Sequence, residues 1–210
     1  MHLYPRREEV DRQALFEGFG MEPVRYFVNL ARPLNGDLPP VELPAGIRLR
    51  AFEPERDIET VWRVDNQAFR EHWGYTDSQL EEFKHWIQKP HFRPELWFLA
   101  EVEKTGEVVG LDLNIIDPDW IGRRGRQEGY VDTIAVLPEY RRRGLGTALL
   151  VHSLHVLARA GMEAAHLHAD VENTTGAMRL YERAGFSLRQ TTIAYRKVMR
   201  ERRGSGTREM

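Results

Sequence analysis

The sequence predicts one α/β (α+β) domain with a mixed, mostly antiparallel sheet of about seven strands flanked by about four helices. Three observations carry this expectation. Apolar stretches of strand length recur from residue 47 to residue 199, and helically periodic segments separate them. The inferred order, β-α-α-β-β-β-α-β-α-β-β, belongs to a mixed sheet with helices packed on it. At its centre, "YVDTIAVLPEYRRRGLGTALL" reads as a strand, a glycine turn and an apolar helix.

Taken in order, residues 1–34 form an arm and residues 35–45 a linker marked by Pro39, Pro40 and Pro44. The main domain covers 46–199, and the polar tail 200–210 reads as disordered. "IRLRAF" alternates as a first strand. In "PERDIETVWRVDNQAF", Ile58, Val61, Trp62, Asp65 and Phe69 fall at helical spacing. "TDSQLEEFKHWI" is a second helix, with Asp77 or Ser78 as its N-cap. "LWFLAEV", a Thr105-Gly106 turn and "EVVGLDLNII" make a hairpin, and "IGRRGRQEG" a polar loop. The helix from Gly144 to Ala160 is apolar on more than one face and stops at Gly161. "AAHLHADV" is a strand, "TTGAMRLYERA" a helix capped by Asn173, and "FSLRQTT" and "AYRKVM" are two short closing strands.

One internal repeat stands out. "LFEGFGM" at 15–21 matches "LYERAGF" at 180–186, and strand-like residues follow both. The arm therefore reads as the closing helix and strand of a preceding, similar domain.

Composition narrows the function. A formal net charge of −2 leaves no global excess of positive charge for a nucleic acid. The absence of cysteine excludes disulfides, thiolate metal sites and a cysteine nucleophile, and fits the cytoplasm. No apolar run has the length of a membrane span, and "MHLYPRREEV" lacks a signal-peptide core. Neither a nucleic acid nor a membrane is expected as a partner.

The glycine turn carries the chemistry. Gly144 and Gly146 permit torsions and close approach that a side chain blocks, so the N–H groups opening the next helix can receive an anion such as a pyrophosphate. No Gly-Lys-Ser/Thr follows, which separates it from a Walker turn, and the third glycine of a dinucleotide fingerprint is missing. His166 and His168 share a strand face, with His152 and His155 on the preceding helix. No carboxylate motif accompanies them, and no metal is expected.

Two motifs in sequence resemble the GNAT superfamily of acetyl-CoA-dependent N-acyltransferases. The first is Val136, Pro138, Tyr140, Arg141, Gly144, Gly146, Leu149 and Leu150; the second is Asn173, Ala177, Leu180, Tyr181, Glu182, Gly185 and Phe186. The arm adds a similarity to two-domain members such as mycothiol synthase-like proteins. The resemblance implies a splay between "YVDTIAV" and "AAHLHAD" as two central parallel strands, with acetyl-CoA as cosubstrate, whether acetyl or a longer acyl group. Ile134, Ala135 and Val136 would line the thioester and pantetheine arm, with the Ile134 N–H as oxyanion donor. The stretch Arg141, Arg142, Arg143, Gly144, Leu145, Gly146 and Thr147 would hold the pyrophosphate, and Asn173 and Ala177 would lie along the pantetheine.

An alkyl amine with pKa near ~10 is neutral in only about one part in a thousand at pH 7, so a base assists its attack. Asp132 shares a strand face with Ile134 if the strand is regular, and Glu128 follows on that face; Asp132 ranks first. Tyr181 is the candidate acid for the departing thiolate. In the arm its counterpart is Phe16, which has no proton to give. His72, Trp73 and Tyr75, between the first two helices, would line an acceptor pocket for a small-molecule or peptide amine. An exposed closing strand or the arm could pair with a second copy.

Overall fold

The computed structural model describes residues 2–89, 92–172 and 176–198. The elements are β1 (His2–Leu3), α1 (Val10–Gly18), β2 (Glu22–Pro33), β3 (Ile47–Ala51), α2 (Pro54–Phe69), α3 (Leu80–Trp86), β4 (Trp97–Val102), β5 (Val108–Ile115), α4 (Pro118–Arg124), β6 (Glu128–Val136), α5 (Leu145–Arg159), β7 (Ala164–Asp170), α6 (Ala177–Arg183) and β8 (Ser187–Arg196). They build one eight-stranded sheet in the order β1-β8-β2-β7-β6-β5-β4-β3. Only β6 and β7 run parallel among the described strands. No helix among the described residues is long and apolar enough to cross a membrane.

The arm departs most from expectation. Its strand β2 lies inside the sheet, antiparallel to β7 on one side and to β8 on the other. Residues 187–196 form one continuous strand instead of two short ones, because β2 occupies the place of the second. Phe27 pairs with Thr192, Tyr26 with Ile193 and Val28 with Thr191. Phe27 and Thr192 stand the same distance apart in sequence as Leu15 and Leu180, so each is the other's counterpart in the repeat. The units α1–β2 and α6–β8 are thus related by a local two-fold axis through that pair. Phe16 of α1 packs with Met21, Ile193 and Tyr195 in a small core of its own.

Two smaller differences have local causes. Part of the polar loop folds as α4, because Asp117 accepts hydrogen bonds from the N–H groups of Asp119 (2.8 Å) and Trp120 (3.2 Å) while Gly125 closes the helix with φ of 64°. The N-cap of α3 is Gln79, which forms a capping box with Glu82. Ser78 is drawn away by Asn66, whose Oδ1 accepts its N–H at 2.9 Å, and Asp77 accepts from the Tyr75 hydroxyl at 2.8 Å.

The core lies on both faces of β5 and β6. Strand β5 is buried almost throughout, and on one face α5 contributes Leu149, Leu150, Leu154 and Leu157, all fully inaccessible. Gly129 lets this helix approach: a Cβ there would stand 2.6 Å from Leu157 Cδ2. Toward the far edge, Arg50 joins β3 to α2 and β4, contacting Asp57 Oδ1 at 2.8 Å and Glu101 Oε2 at 2.5 Å. Burial alone would raise the pKa values of both acids, but their arginine hydrogen bonds outweigh it and hold them below the usual range. Arg50→Ala leaves two buried carboxylates without their shared cation and should cost about 3–5 kcal/mol at pH 7, measured by denaturant unfolding. Since both folded-state pKa values are lowered, the stability these acids contribute is full above the ordinary carboxylate range and disappears as pH falls through the lowered values. The wild-type advantage over Arg50→Ala should therefore shrink in acid.

Candidate active site

The parallel pair β6–β7 is joined only at Glu128–Ala164, Gly129–Ala165 and Tyr130–His166. Both strands continue beyond that point, to Val136 and Asp170, without pairing to each other. This is the splay expected from the sequence. On its other side β6 remains paired to β5, and the Leu137 N–H donates to the Val109 carbonyl at 2.9 Å. Alternation along an antiparallel ladder then turns the backbone groups of Ile134 and Val136 away from β5 and into the gap. The Val136 carbonyl there accepts from Arg141 Nε at 3.1 Å.

Below the gap the chain makes one 3-10 turn at Pro138–Tyr140 and enters α5. Arg142 has φ of 61° and Gly144 φ of 87°, two left-handed residues in a three-residue span. The first helical bond, Ala148 N–H to Gly144 carbonyl, leaves the amides of Leu145, Gly146 and Thr147 at the open end of the dipole. A Cβ on Gly146 would meet Leu180 and Val136 at 3.8 and 3.9 Å, ordinary contact distances. The three arginines divide their roles. Arg141 braces the turn to α2, donating to the Ala68 carbonyl at 2.8 Å and pairing with Glu71 at 3.1 Å. Arg143 lies over the Tyr140 ring at 5.5 Å, and Arg142 is exposed.

A cavity of about 600 Å³ opens on the sheet beside the gap. Glu128, Tyr130 and Asp132 of β6, His166 and His168 of β7, Asn29 of β2, and Arg189 and Gln190 of β8 line it, with Asp117 and Trp120 at one end. Strand β6 is not regular here. Leu113 pairs with Thr133 and Asn114 with Val131, so Asp132 is the extra residue of a bulge; it lines one cavity with Glu128 and Tyr130, but the shifted alternation puts Ile134 on the opposite face, against the expected shared face. Asp132 meets water through the cavity mouth while protein walls its sides, and burial pushes its carboxyl above the usual range against a weak hydrogen bond from Thr133. Burial also drives Tyr130 up to about 12, helped by the Asp132 charge and by Tyr181.

Sequence reasoning missed Asp65. It lies on α2, and burial reinforced by the Asp132 charge raises it to about 6. The signal was present: one acid on the helix face of Ile58, Val61, Trp62 and Phe69. Asn29, Arg189 and Gln190 had no comparable sequence signal, because strand insertion alone brings them to the cavity.

Tyr181 is half-buried on α6, its ring 6.2 Å from Phe186, and burial raises its hydroxyl above the ordinary value. Ala177 opens the same helix, while Asn173 lies outside the described residues. Of the suggested acceptor wall, Trp73 packs against Phe27 (6.0 Å) and His2 (5.7 Å) from the arm, with Arg25 over its ring at 5.8 Å. His72 lies against Phe69, and burial lowers its pKa. The Tyr75 hydroxyl, whose proton goes to Asp77, stands 2.6 Å from Asn66 Oδ1, and these contacts tie the helix connection together. The histidines are dispersed. His152 contacts Asp112 at 2.6 Å, His155 contacts the Pro39 carbonyl at 2.8 Å, and His166 stands 3.2 Å from Glu128. His168 stacks on Phe27 at 5.4 Å. No metal-holding group of three His, Cys, Asp or Glu exists among the described residues.

The arrangement brings together an anion cradle, a backbone-lined gap and an acid-bearing cavity. The acetyltransferase (GNAT) family model matches residues 58–186. The mycothiol acetyltransferase of Thermobispora bispora is 38% identical over 183 residues, which cover 87% of this chain and 61% of the relative. That of Thermomonospora curvata is 37% identical, over 87% of this chain and 58% of the relative. The chain spans about three fifths of the length of these relatives. Among solved structures, a GCN5-related N-acetyltransferase from Sphaerobacter thermophilus superposes with a TM-score of 0.79 at 30% identity, over 93% of this chain and 58% of that one. A tandem GNAT protein from the clavulanic acid biosynthesis pathway shares the fold, with a TM-score of 0.65 at 13% identity, over 92% of this chain and 62% of that one.

Proposed function

The chain belongs to the acetyltransferase (GNAT) family, and from that premise we propose that it transfers an acyl group from acetyl-CoA directly to a primary amine in a ternary complex. The observation that carries this reading is the β6–β7 gap, with the first turn of α5 below it and Asp132 at its rim. The amides of Leu145, Gly146 and Thr147, with the turn before them, receive the pyrophosphate. Ala177 flanks the pantetheine arm. The Ile134 N–H polarises the thioester carbonyl as the amine adds, and the tetrahedral oxyanion is held there. Asp132 takes a proton from the bound ammonium, directly or with Glu128 through water, the freed neutral amine attacks the thioester carbonyl, and Tyr181 protonates the departing thiolate. His72, Trp73 and Tyr75, which the resemblance assigns to the acceptor wall, lie outside the lining of this cavity. The reaction takes place in the cytoplasm.

The test is thiol release and product mass on incubation with acetyl-CoA and a panel of amines. Asp132 acts as base only when deprotonated, so activity should rise with pH through its raised pKa. Asp132→Asn should remove that acidic limb and lower kcat by about 10²-fold or more, whereas Glu128→Gln should keep the limb. A limb lost in Glu128→Gln and kept in Asp132→Asn reverses the assignment.

A second reading follows from the arm. The two-fold relation between α1–β2 and α6–β8 supports residues 1–34 as the closing unit of a preceding GNAT-like domain, with Phe16 where Tyr181 stands. On this reading the chain is one half of a tandem protein and binds acyl-CoA without turning it over. Thermal stabilisation by CoA with no thiol release from any amine would favour it.

A further inference from the structure

Two bulges turn ionisable residues of opposite charge toward the one cavity. The bulge in β6 presents Asp132. In β8, Asn29 pairs with Gln190 and Leu30 with Leu188, so Arg189 is the extra residue, and it lines the cavity beside Gln190. The register between these points forms a transverse row. Gln190 pairs with Asn29, and Asn29 with His168. His168 is two residues beyond His166, as Asp132 is two beyond the His166 partner Tyr130, so the row continues across the gap to Asp132.

The row is polar from end to end and has capacity to spare. The side chains of Asn29, Gln190 and Arg189 form no hydrogen bond or ion pair with another described side chain. The acids are gathered at the opposite end, where Glu128 is 3.7 Å from Arg126 and Asp117 caps α4. His168 is held by its stack on Phe27, and the protein around its ring lowers its pKa, which favours the neutral imidazole that can donate or accept. From β8 to β7 there are two strand spacings, about 10 Å at ~4.8 Å each, and the splay sets Asp132 farther off than a third, so the row spans more than about 14 Å.

We propose that the acceptor is an amine carrying a distal anionic group, a carboxylate or phosphate, which lies across the strands with its amine at Asp132 and its anion on Arg189. Asn29, His168 and Gln190 bind the polar atoms between. A span of more than about 14 Å corresponds to four or more extended residues at ~3.5 Å each, so a short peptide with a free C-terminus has the required reach. This inference rests on the acyl-transfer reading of the same cavity.

The experiment compares tetraglycine, its C-terminal amide, an aminoalkyl phosphate of matched length and an unbranched diamine, each with acetyl-CoA and thiol release as readout. Tetraglycine or the phosphate should exceed the amide by about tenfold or more in kcat/KM, expressed in KM, as expected for a charge-assisted contact. The preferred member of the two identifies the anion. Arg189→Ala should bring the acid down to the amide, and Arg189→Glu should make the diamine the preferred acceptor, a gain that also establishes that the variant is folded. Equal turnover of acid, phosphate and amide by the wild type, or discrimination that survives Arg189→Ala, overturns the inference alone. Absence of thiol release from every amine, the diamine included, overturns the acyl-transfer reading and this inference with it.

Discussion

Gly144→Val should weaken acetyl-CoA binding by about 10- to 100-fold, while Arg143→Ala should weaken it by no more than about fivefold. Space is not the cause, since nothing lies within 4 Å of a Cβ built on Gly144. The cause is φ of 87°, a conformation in which a β-branched residue is disfavoured by more than the ~1–2 kcal/mol of an ordinary side chain. Relaxing that torsion would rotate the amides of the α5 first turn off their common focus. Each such N–H to a charged oxygen is worth about 1.5–3 kcal/mol, so losing one reaches the tenfold range and losing more exceeds it. Arg143 is exposed and lies on Tyr140, where a solvated charge adds about 0–1 kcal/mol. Calorimetric titration of both variants with CoA measures the ranking. A larger loss in Arg143→Ala would move the binding energy from backbone to side chain.

Tyr181→Phe should lower kcat by about 10²-fold or more and leave the KM for acetyl-CoA nearly unchanged. The substitution keeps the ring against Phe186 and removes only the hydroxyl. Burial raises the Tyr181 pKa, so the phenol remains protonated and able to donate throughout the neutral range. An acid fails when it loses its proton, and the wild-type rate should therefore fall only where pH rises through that raised value. The variant should lack this alkaline limb. An acyl donor with a more acidic thiol needs less help from an acid, so an aryl thioester should recover much of the lost rate. Full activity of Tyr181→Phe with acetyl-CoA would remove the residue from the mechanism.

What could be read from the sequence divides along a physical line. The strand, glycine turn and helix at 130–150 are local: Gly144 needs its torsion, and α5 is apolar all round because it is buried nearly all round. The parity that put Asp132 on one face with Ile134 fails, because the bulge between them shifts the alternation and a bulge is not visible in sequence; only its sharing of a cavity with Glu128 follows the expected pattern. The insertion of β2 could not be read, because β-pairing depends on partners more than a hundred residues away and not on the strand's own composition. Everything that β2 brings to the cavity, Asn29 and the support of His168 by Phe27 included, was hidden for the same reason. Arg141 shows the opposite case. It was prominent in the motif as a candidate anion ligand, and its guanidinium is engaged by the Val136 and Ala68 carbonyls and by Glu71.

The position of β2 also sets a timetable for biosynthesis. Both of its neighbours, β7 and β8, come from the far end of the chain. At about 5–20 residues per second, a ribosome that has finished Pro33 needs roughly 8–33 s more to reach Arg196. Throughout that interval a strand bearing Tyr26, Phe27, Val28 and Leu30 has neither β7 nor β8 to pair with. The sheet can close only when residues 22–33 meet residues 164–196, which makes this step one of high loop-closure entropy and long exposure to misassociation.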